Sequence, residues 1–472
     1  MSKTTLIVSI IVIMSLVIGG LFGFYFYLNH KSGGVLTASN SSSGGGFFNF
    51  GNNTPPTQKP TTETPGASNT ATTTPVVKNT IPLPIPELRH LTLAPTAGLS
   101  FISKDLFSTS TSVTILPPSR ATSTASSTQA IVKINLNLIG STEVMRWVDR
   151  ATGNIYETAS STLETTRISN TTIPKIYEAY FVGPKGKNII FRNLLNETDV
   201  IQSQYGTLQD VTATSTEQSV ILSSLPFNMT QIALSPDSSQ MFSITPTNIR
   251  GTISKPDGSS KVTAFNSPFH EWLASWPTAQ NIVLTTKPSG TTDGFAYLLN
   301  SKTRSVSKLL GNKKGLTTLM SPDGTQMLFS ESAGGSVDLQ LLETKTGKTT
   351  DLFIRTLPEK CIWSLKEKQT IFCAVPEDLA YATYPDVWYQ GLISLSDNLW
   401  KINIATGESR QILQPLSLVD TSIDMINPTL SKKEDYIMFQ NKSDLSLWSY
   451  KLYDSNLIAS STTKIATTTK AR

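Results

Sequence analysis

The strongest constraint on this chain is a hairpin signal that keeps returning. "LMSPDGTQMLFS" (319–330) reads as strand, tight turn, strand. Pro322 fixes φ at a turn's second position, Asp323 can bond its own backbone, and Gly324 tolerates positive φ. Weaker copies open at Ser235 ("SPDSSQMFS") and Gly183 ("GPKGKNIIF"). Aligned on the residue before the turn, the anchors are Ala94, Gly183, Ser235, Trp276, Ser321, Ser364 and Ser431, spaced by 89, 52, 41, 45, 43 and 67 residues. An apolar residue eight positions on closes most copies: Phe191, Leu284, Phe329, Phe372 and Phe439. Alternating apolar residues around such a turn predict a hairpin with one buried face.

A third strand and a second turn follow each hairpin. Thr152-Gly153, Thr346-Gly347 and Thr406-Gly407 are read as occupying the same place in their copies. Four short strands in about 40 to 50 residues is the period of a propeller blade. The predicted fold is therefore all-β: a seven-bladed β-propeller of four-stranded antiparallel blades over 81–460. A sandwich explains the pattern less well, because sandwiches do not reuse one turn sequence. The last unit runs out after "LSLWSYKL" (445–452), and "ELRHLTL" (87–93) is the strand expected to complete it. Pairing the two chain ends in this way removes exposed strand edges. The two longest intervals hold insertions: 108–129, a Ser/Thr-rich stretch read as a low-complexity loop, and 376–397, which is aromatic.

The S-P-D-G hairpin followed by a T-G turn resembles the WD40-like repeats of TolB-type propellers, over roughly 86–459. The resemblance implies the fold, and its relatives include envelope scaffolds and the propeller halves of prolyl peptidases. This chain is read as lacking both the N-terminal α/β domain of TolB and a hydrolase domain after the repeats. Neither TolB's partners nor peptidase activity carries over. For a membrane-anchored bacterial member, the resemblance implies a place in the cell envelope and no particular role.

Ahead of the repeats, Leu6 to Leu28 is a run of 23 residues without a charge. As a helix it spans roughly 34 Å, enough for a hydrocarbon core of about 30 Å. Tyr25 and Tyr27 stand where an interfacial aromatic belt belongs. The rival reading is a cleaved signal peptide, but no A-x-A-like site follows near Gly19-Gly20-Leu21. The expected organisation is a short cytoplasmic end (1–5), a transmembrane helix in the lipid bilayer (6–28), a flexible Ser/Gly/Thr/Pro-rich linker (29–80), the propeller, and a disordered tail (461–472). Lys3 against His30-Lys31 gives only a small charge asymmetry; a long domain after a first apolar span is expected on the extracytoplasmic side of the cell membrane. "GFFNFG" (46–51) interrupts the linker with three Phe, read as a patch resting on the membrane or on the domain.

The chemistry is sparse. Net charge is +5 with 15% charged residues, and no Lys/Arg run makes a nucleic-acid footprint. The two cysteines, Cys361 and Cys373, face one another if the hairpin anchored at Ser364 forms. An oxidising compartment would then join them as a structural disulfide; two buried thiols are the alternative. Of three histidines, His30 belongs to the linker, His90 to the closing strand, and His270 is read as a strand residue. "FHEWLASW" lacks the second His of a zinc-protease helix, and no G-x-S-x-G marks a nucleophile elbow. No catalytic residue, metal site or cofactor is assigned. Trp272, Trp276 and Trp363 are expected in the core. The candidate contact surface is the second insertion, with Tyr381, Tyr384, Trp388 and Tyr389; it either presents these rings to a partner or packs them over a blade edge. The functional expectation is a non-catalytic scaffold of the cell envelope that binds a protein, peptide or glycan. The alternative is an envelope hydrolase acting on polysaccharide or peptide, with its site over the central channel.

Overall fold

The computed structural model describes residues 86–115, 130–195, 200–210, 217–246 and 249–452. The predicted transmembrane helix 6–28, linker 29–80 and tail 461–472 lie outside these residues. No helix among the described residues is long and apolar enough to cross a membrane.

Seven four-stranded antiparallel sheets form the ring. Blade 5 shows the pattern: Thr318–Met320, Gln326–Ala333, Ser336–Glu343 and Thr349–Ile354, from the innermost strand outward. The innermost strands of blades 1 to 4 are Thr96–Ile115, Ile176–Val182, Gln231–Leu234 and Trp272–Ser275. Those of blades 6 and 7 are Cys361–Trp363 and Met425–Leu430. Because each blade is a meander, its first and third turns lie on one face of the ring, here called the hairpin face. Its second turn, and the crossing to the next blade, lie on the opposite or entry face.

Six of the seven anchors directly follow an innermost strand, as the repeat predicts. The turn chemistry is explicit in three of them. Ser321 Oγ donates to Asp323 Oδ1 at 2.6 Å and accepts from the Gln326 N–H at 3.0 Å. Ser235 does the same with Asp237 and Gln240, and Ser431 with Asp435 and Tyr436. The hydrogen bonds from Ser321 and Ser235 hold the Asp323 and Asp237 carboxyls below the usual range. Three residues after the anchor, Gly186, Ser238, Gly324 and Glu434 all have positive φ. The closing residues Phe191, Leu284, Phe329 and Phe439 are fully buried, and Phe372 nearly so.

Ala94 is the exception, and it displaces the first copy by one strand. Leu88–Thr92 is the outermost strand of blade 7, where it pairs with Leu447–Lys451 and stacks His90 on Trp448 at 4.0 Å. The Ala94-Pro95 turn therefore leads from blade 7 into blade 1. "LTLAPTAGLSF" encodes a strand, a turn and a strand, but local sequence does not choose the pairing partner: Thr96 pairs with Asp149. Thr152-Gly153 accordingly joins the second and third strands of blade 1, whereas the other two T-G turns join the third and fourth of theirs. His270 is also corrected. It lies in the exposed connection between Val262–Asn266 and Trp272–Ser275, because Pro268 interrupts any ladder there.

Six seams between blades are closed by apolar clusters. Trp272 and Trp276 lie between blades 3 and 4, and Trp363 between blades 5 and 6, as core residues. The seam between blades 7 and 1 is polar. Thr96 N–H donates to Leu445 O at 2.9 Å, and Gln440 Nε2 donates to Thr96 O and Oγ1 at 2.8 and 2.7 Å.

Candidate functional site

The aromatic insertion folds back over the entry face. Val337, Leu357, Tyr384, Trp388 and Leu395 form one buried cluster, which draws on blade 5, the crossing to blade 6 and the insertion itself. Ile426 of blade 7 packs against it. Polar contacts extend the strap. Ala382 N–H donates to Gly335 O at 2.9 Å, while Ser289 Oγ and Gly290 N–H of blade 4 donate to Asp386 at 3.0 and 2.6 Å. Tyr389 OH donates to Glu359 at 2.8 Å. Glycines make room for this close approach: a Cβ on Gly290 or Gly315 would lie 2.5 or 2.7 Å from the Tyr384 carbonyl oxygen.

Beneath the strap sits a buried charge cluster. The Lys360 ammonium donates to Asp397 Oδ2, to Asp424 Oδ1 at 2.6 Å and to Met425 O at 3.2 Å. All three charged side chains are fully buried. Trp388 Nε1 donates to Asp424 Oδ2 at 2.9 Å, and Lys360 and Lys442 stand 5.2 and 5.0 Å from its ring. Burial pushes the Asp397 carboxyl up to about 6, against the downward pull of Lys360. Burial likewise pushes Glu359 up to about 7, despite the Tyr389 hydrogen bond. An isolated buried charge is costly, so removing one member of this cluster would leave its partners uncompensated.

The structure therefore divides the four candidate aromatics. Tyr384 and Trp388 are buried and cannot meet a partner unless the strap lifts. Tyr389 is 39% exposed with its hydroxyl engaged, and Tyr381 is 87% exposed. Cys361 and Cys373 stand directly opposed, as the hairpin predicts, with Cα atoms 4.0 Å apart and a disulfide between them.

The same face carries an open cavity of about 690 Å³ over blades 7, 1, 2 and 3. Its floor includes Tyr177, Glu178, Arg192, Gln231, Asn427 and Gln440. Glu178 is its one lining carboxylate. It accepts from the Arg192 guanidinium and from Tyr180 OH at 2.5 Å. Arg192 also donates to Met229 O and lies 5.2 Å from the Tyr177 ring. Two buried polar atoms there have no protein partner, the Tyr177 hydroxyl and Arg192 Nε. Burial pushes the Tyr177 hydroxyl up to about 12, so it remains a neutral donor. Sequence reasoning passed over these residues. The signal was present: "KIYEAYFVG" places Tyr177, Glu178 and Tyr180 on an innermost strand, where Val, Ile and Ala are more usual. Among the described residues, no group of three His, Cys, Asp or Glu side chains is arranged to hold a metal.

No protein-family model and no curated protein matches the chain. Solved structures do match it. An oligogalacturonate lyase from Vibrio parahaemolyticus is 10% identical, with a TM-score of 0.44 over 66% of this chain and 86% of that one. The β-propeller domain of the Trilobed protease from Pyrococcus furiosus, described as having an open velcro topology, is 13% identical, with a TM-score of 0.42 over 67% and 95%. TolB from Acinetobacter baumannii is 15% identical, with a TM-score of 0.36 over 55% and 59%. These likenesses concern the propeller fold and carry no activity to this chain.

Proposed function

We propose that this protein is a non-catalytic binding propeller of the cell envelope, held at the membrane by residues 6–28 with the ring on the extracytoplasmic side. The cavity over blades 7, 1, 2 and 3 is its binding site. The observation that carries this reading is how the acidic groups of the entry face are used. Asp397 and Asp424, the carboxylates that come together, are sealed under the strap by Lys360. Glu178, the one acid in the open cavity, is neutralised by Arg192. What remains for a ligand is the Arg150 side chain with uncharged donors and acceptors on Tyr177, Gln231 and Asn427, beside the apolar Leu194 and Ile201. Such a lining suits a polar segment, a glycan chain or a peptide backbone. The disulfide supports an oxidising compartment.

The test is a binding screen of the full chain against envelope oligosaccharides and peptides, with Gln231→Ala, Asn427→Ala as the matched variant. Loss of two ligand hydrogen bonds at about 1 kcal/mol each predicts affinity lower by roughly tenfold or more. A ligand held equally by both proteins would place the site elsewhere. A ligand that is hydrolysed, with turnover abolished by Glu178→Gln, would replace the scaffold by the hydrolase.

A further inference from the structure

The two insertions end differently. The first, expected as a loop, is strand where it is described: Thr96–Ile115 pairs with Ala130–Asp149 as far as Ile115 and Ala130. It extends from the hairpin face of blade 1 as a two-stranded arm. The strap ends inside the ring. Its last residue, Asp397, opens the third strand of blade 6, Asp397–Asn403, and meets Lys360. Lys360 closes the short helical turn Pro358–Lys360 on the crossing from blade 5. Asp424, one residue ahead of the innermost strand of blade 7, completes a group of three.

The two carboxyl groups are held differently. Asp424 Oδ1 accepts from Lys360 at 2.6 Å, and its Oδ2 accepts from Trp388 Nε1 at 2.9 Å and from the Leu395 N–H at 3.0 Å. Both oxygens act as acceptors, the pattern of a carboxylate. Asp397 is engaged on one side only. Its Oδ2 accepts from Lys360 and from the Met425 N–H at 2.7 Å, while its Oδ1 is buried with no hydrogen-bond partner. A buried oxygen without a donor disfavours the ionised form, and burial pushes this carboxyl up to about 6 against the pull of Lys360. All three side chains are fully buried, with the Trp388 ring 5.2 Å from the Lys360 nitrogen. An amine, a carboxylic acid and a carboxylate are thus held together out of water.

We propose that Lys360 and Asp397 condense to an intramolecular amide, with Asp424 as the base, and that this bond locks the strap onto the ring. Lys360 gives one proton to Asp424, and its Nζ attacks Cγ of the neutral Asp397. Oδ2, held by the Met425 N–H, carries the charge that develops on the acid. The Cγ–Oδ1 bond then breaks, and Oδ1 leaves as water with its own proton and a second one from Nζ. The products are a secondary amide, a neutral Asp424 and one water, so no oxidant or other reactant is needed. Fixed neighbours replace a chance encounter. The neutral amide also removes the cost of keeping a cation and an anion out of water. The bond spans a separation of 37 residues and encloses the disulfide, which spans 12. It joins the crossing from blade 5 to the far end of the strap, so the strap stays down when the disulfide is reduced. Once joined, Asp397 no longer titrates, and the pH dependence of this corner rests on Glu359.

The test is a peptide map of the full chain, purified in detergent, then reduced and alkylated so that the disulfide no longer joins the same peptides, and cut with trypsin. The amide predicts that 356–366 and 369–401 remain joined and lighter by one water, with no cleavage after Lys360 and no free 356–360. Asp424→Asn keeps the shape of the side chain and removes the base, so Lys360 should be open to trypsin and 356–360 released. The Cys361–Cys373 disulfide, mapped before reduction, reports that blade 6 of the variant has formed. Joined peptides in Asp424→Asn would overturn the role of Asp424. Free 356–360 and 369–401 from the parent chain would overturn the proposal outright. Peptide 356–366 joined instead to 411–432, which carries Asp424, would overturn the choice of Asp397.

Discussion

The ring carries two insertions, in blades 6 and 1, and they are put to opposite uses. The strap of blade 6 (376–397) is rich in aromatics, yet it buries them: Tyr384 and Trp388 complete a cluster that joins blades 5, 6 and 7. The arm of blade 1 has a plainer sequence of Ser, Thr, Val and Ile, yet it leaves Phe107 and Leu138 in the open. The lesson is that aromatic content does not by itself mark a contact surface. What matters is whether the ring offers the segment a seam to cover. The strap crosses the entry face above the buried Lys360, the two aspartates paired with it, and a groove cleared by Gly290 and Gly315. The arm leaves from the hairpin face with no such surface beside it.

If the strap is structure, damage there is severe. Lys360→Met leaves Asp397 and Asp424 buried without their cation, and Trp388→Ala opens a cavity above them. Each should cost about 3–5 kcal/mol in urea unfolding. A loss near zero for Trp388→Ala would return the strap to the list of contact surfaces. The disulfide is next in size. It closes a separation of 12 residues, and its removal by Cys361→Ala, Cys373→Ala should cost about 2–3 kcal/mol, read from the same transition.

The pH dependence is smaller and has a fixed sign. Glu359 at about 7 and Asp397 at about 6 lie above their unfolded values of roughly 4.3 and 3.9. The folded state thus binds more protons than the unfolded state between pH about 4 and 7, and stability falls as pH rises through that window. The melting temperature should be higher at pH 5 than at pH 8, and Glu359→Gln should flatten the slope. A melting temperature that rises with pH would contradict the assignment. The smallest effect belongs to the arm: excising 108–137 and joining the strands by a tight turn should change stability by less than about 0.5 kcal/mol. A large loss would show that the arm, too, belongs to the ring.

Much of the fold was legible because it is written locally. A tight turn after the innermost strand leaves a local trace, explicit at Ser235, Ser321 and Ser431 and weaker at Gly183, Trp276 and Ser364, and all six lie where that trace puts them. The count of seven survived even though Ala94 marked a crossing, because the long hairpin of blade 1 replaced it. The disulfide was legible for the same reason, being fixed by one hairpin's register. The strand character of 108–115 was masked by its Ser and Thr content, although Thr109, Thr111, Val113 and Ile115 alternate as a strand requires. The buried cluster had no local trace at all. Lys360 meets Asp397 and Asp424 across 37 and 64 residues, and only the closed ring brings them together.

The contrast between strap and arm is tested most directly by hydrogen exchange on the full chain, mapped by peptide. The strap amides of Ala382, bonded to Gly335 of blade 5, and of Val387 and Tyr389, bonded within the strap, should exchange as slowly as the inner strands of blades 5 and 6. Amides of 107–115 and 131–138 should exchange faster than those strands. Fast exchange across the strap, at the rate of an open surface loop, would contradict the account at its centre.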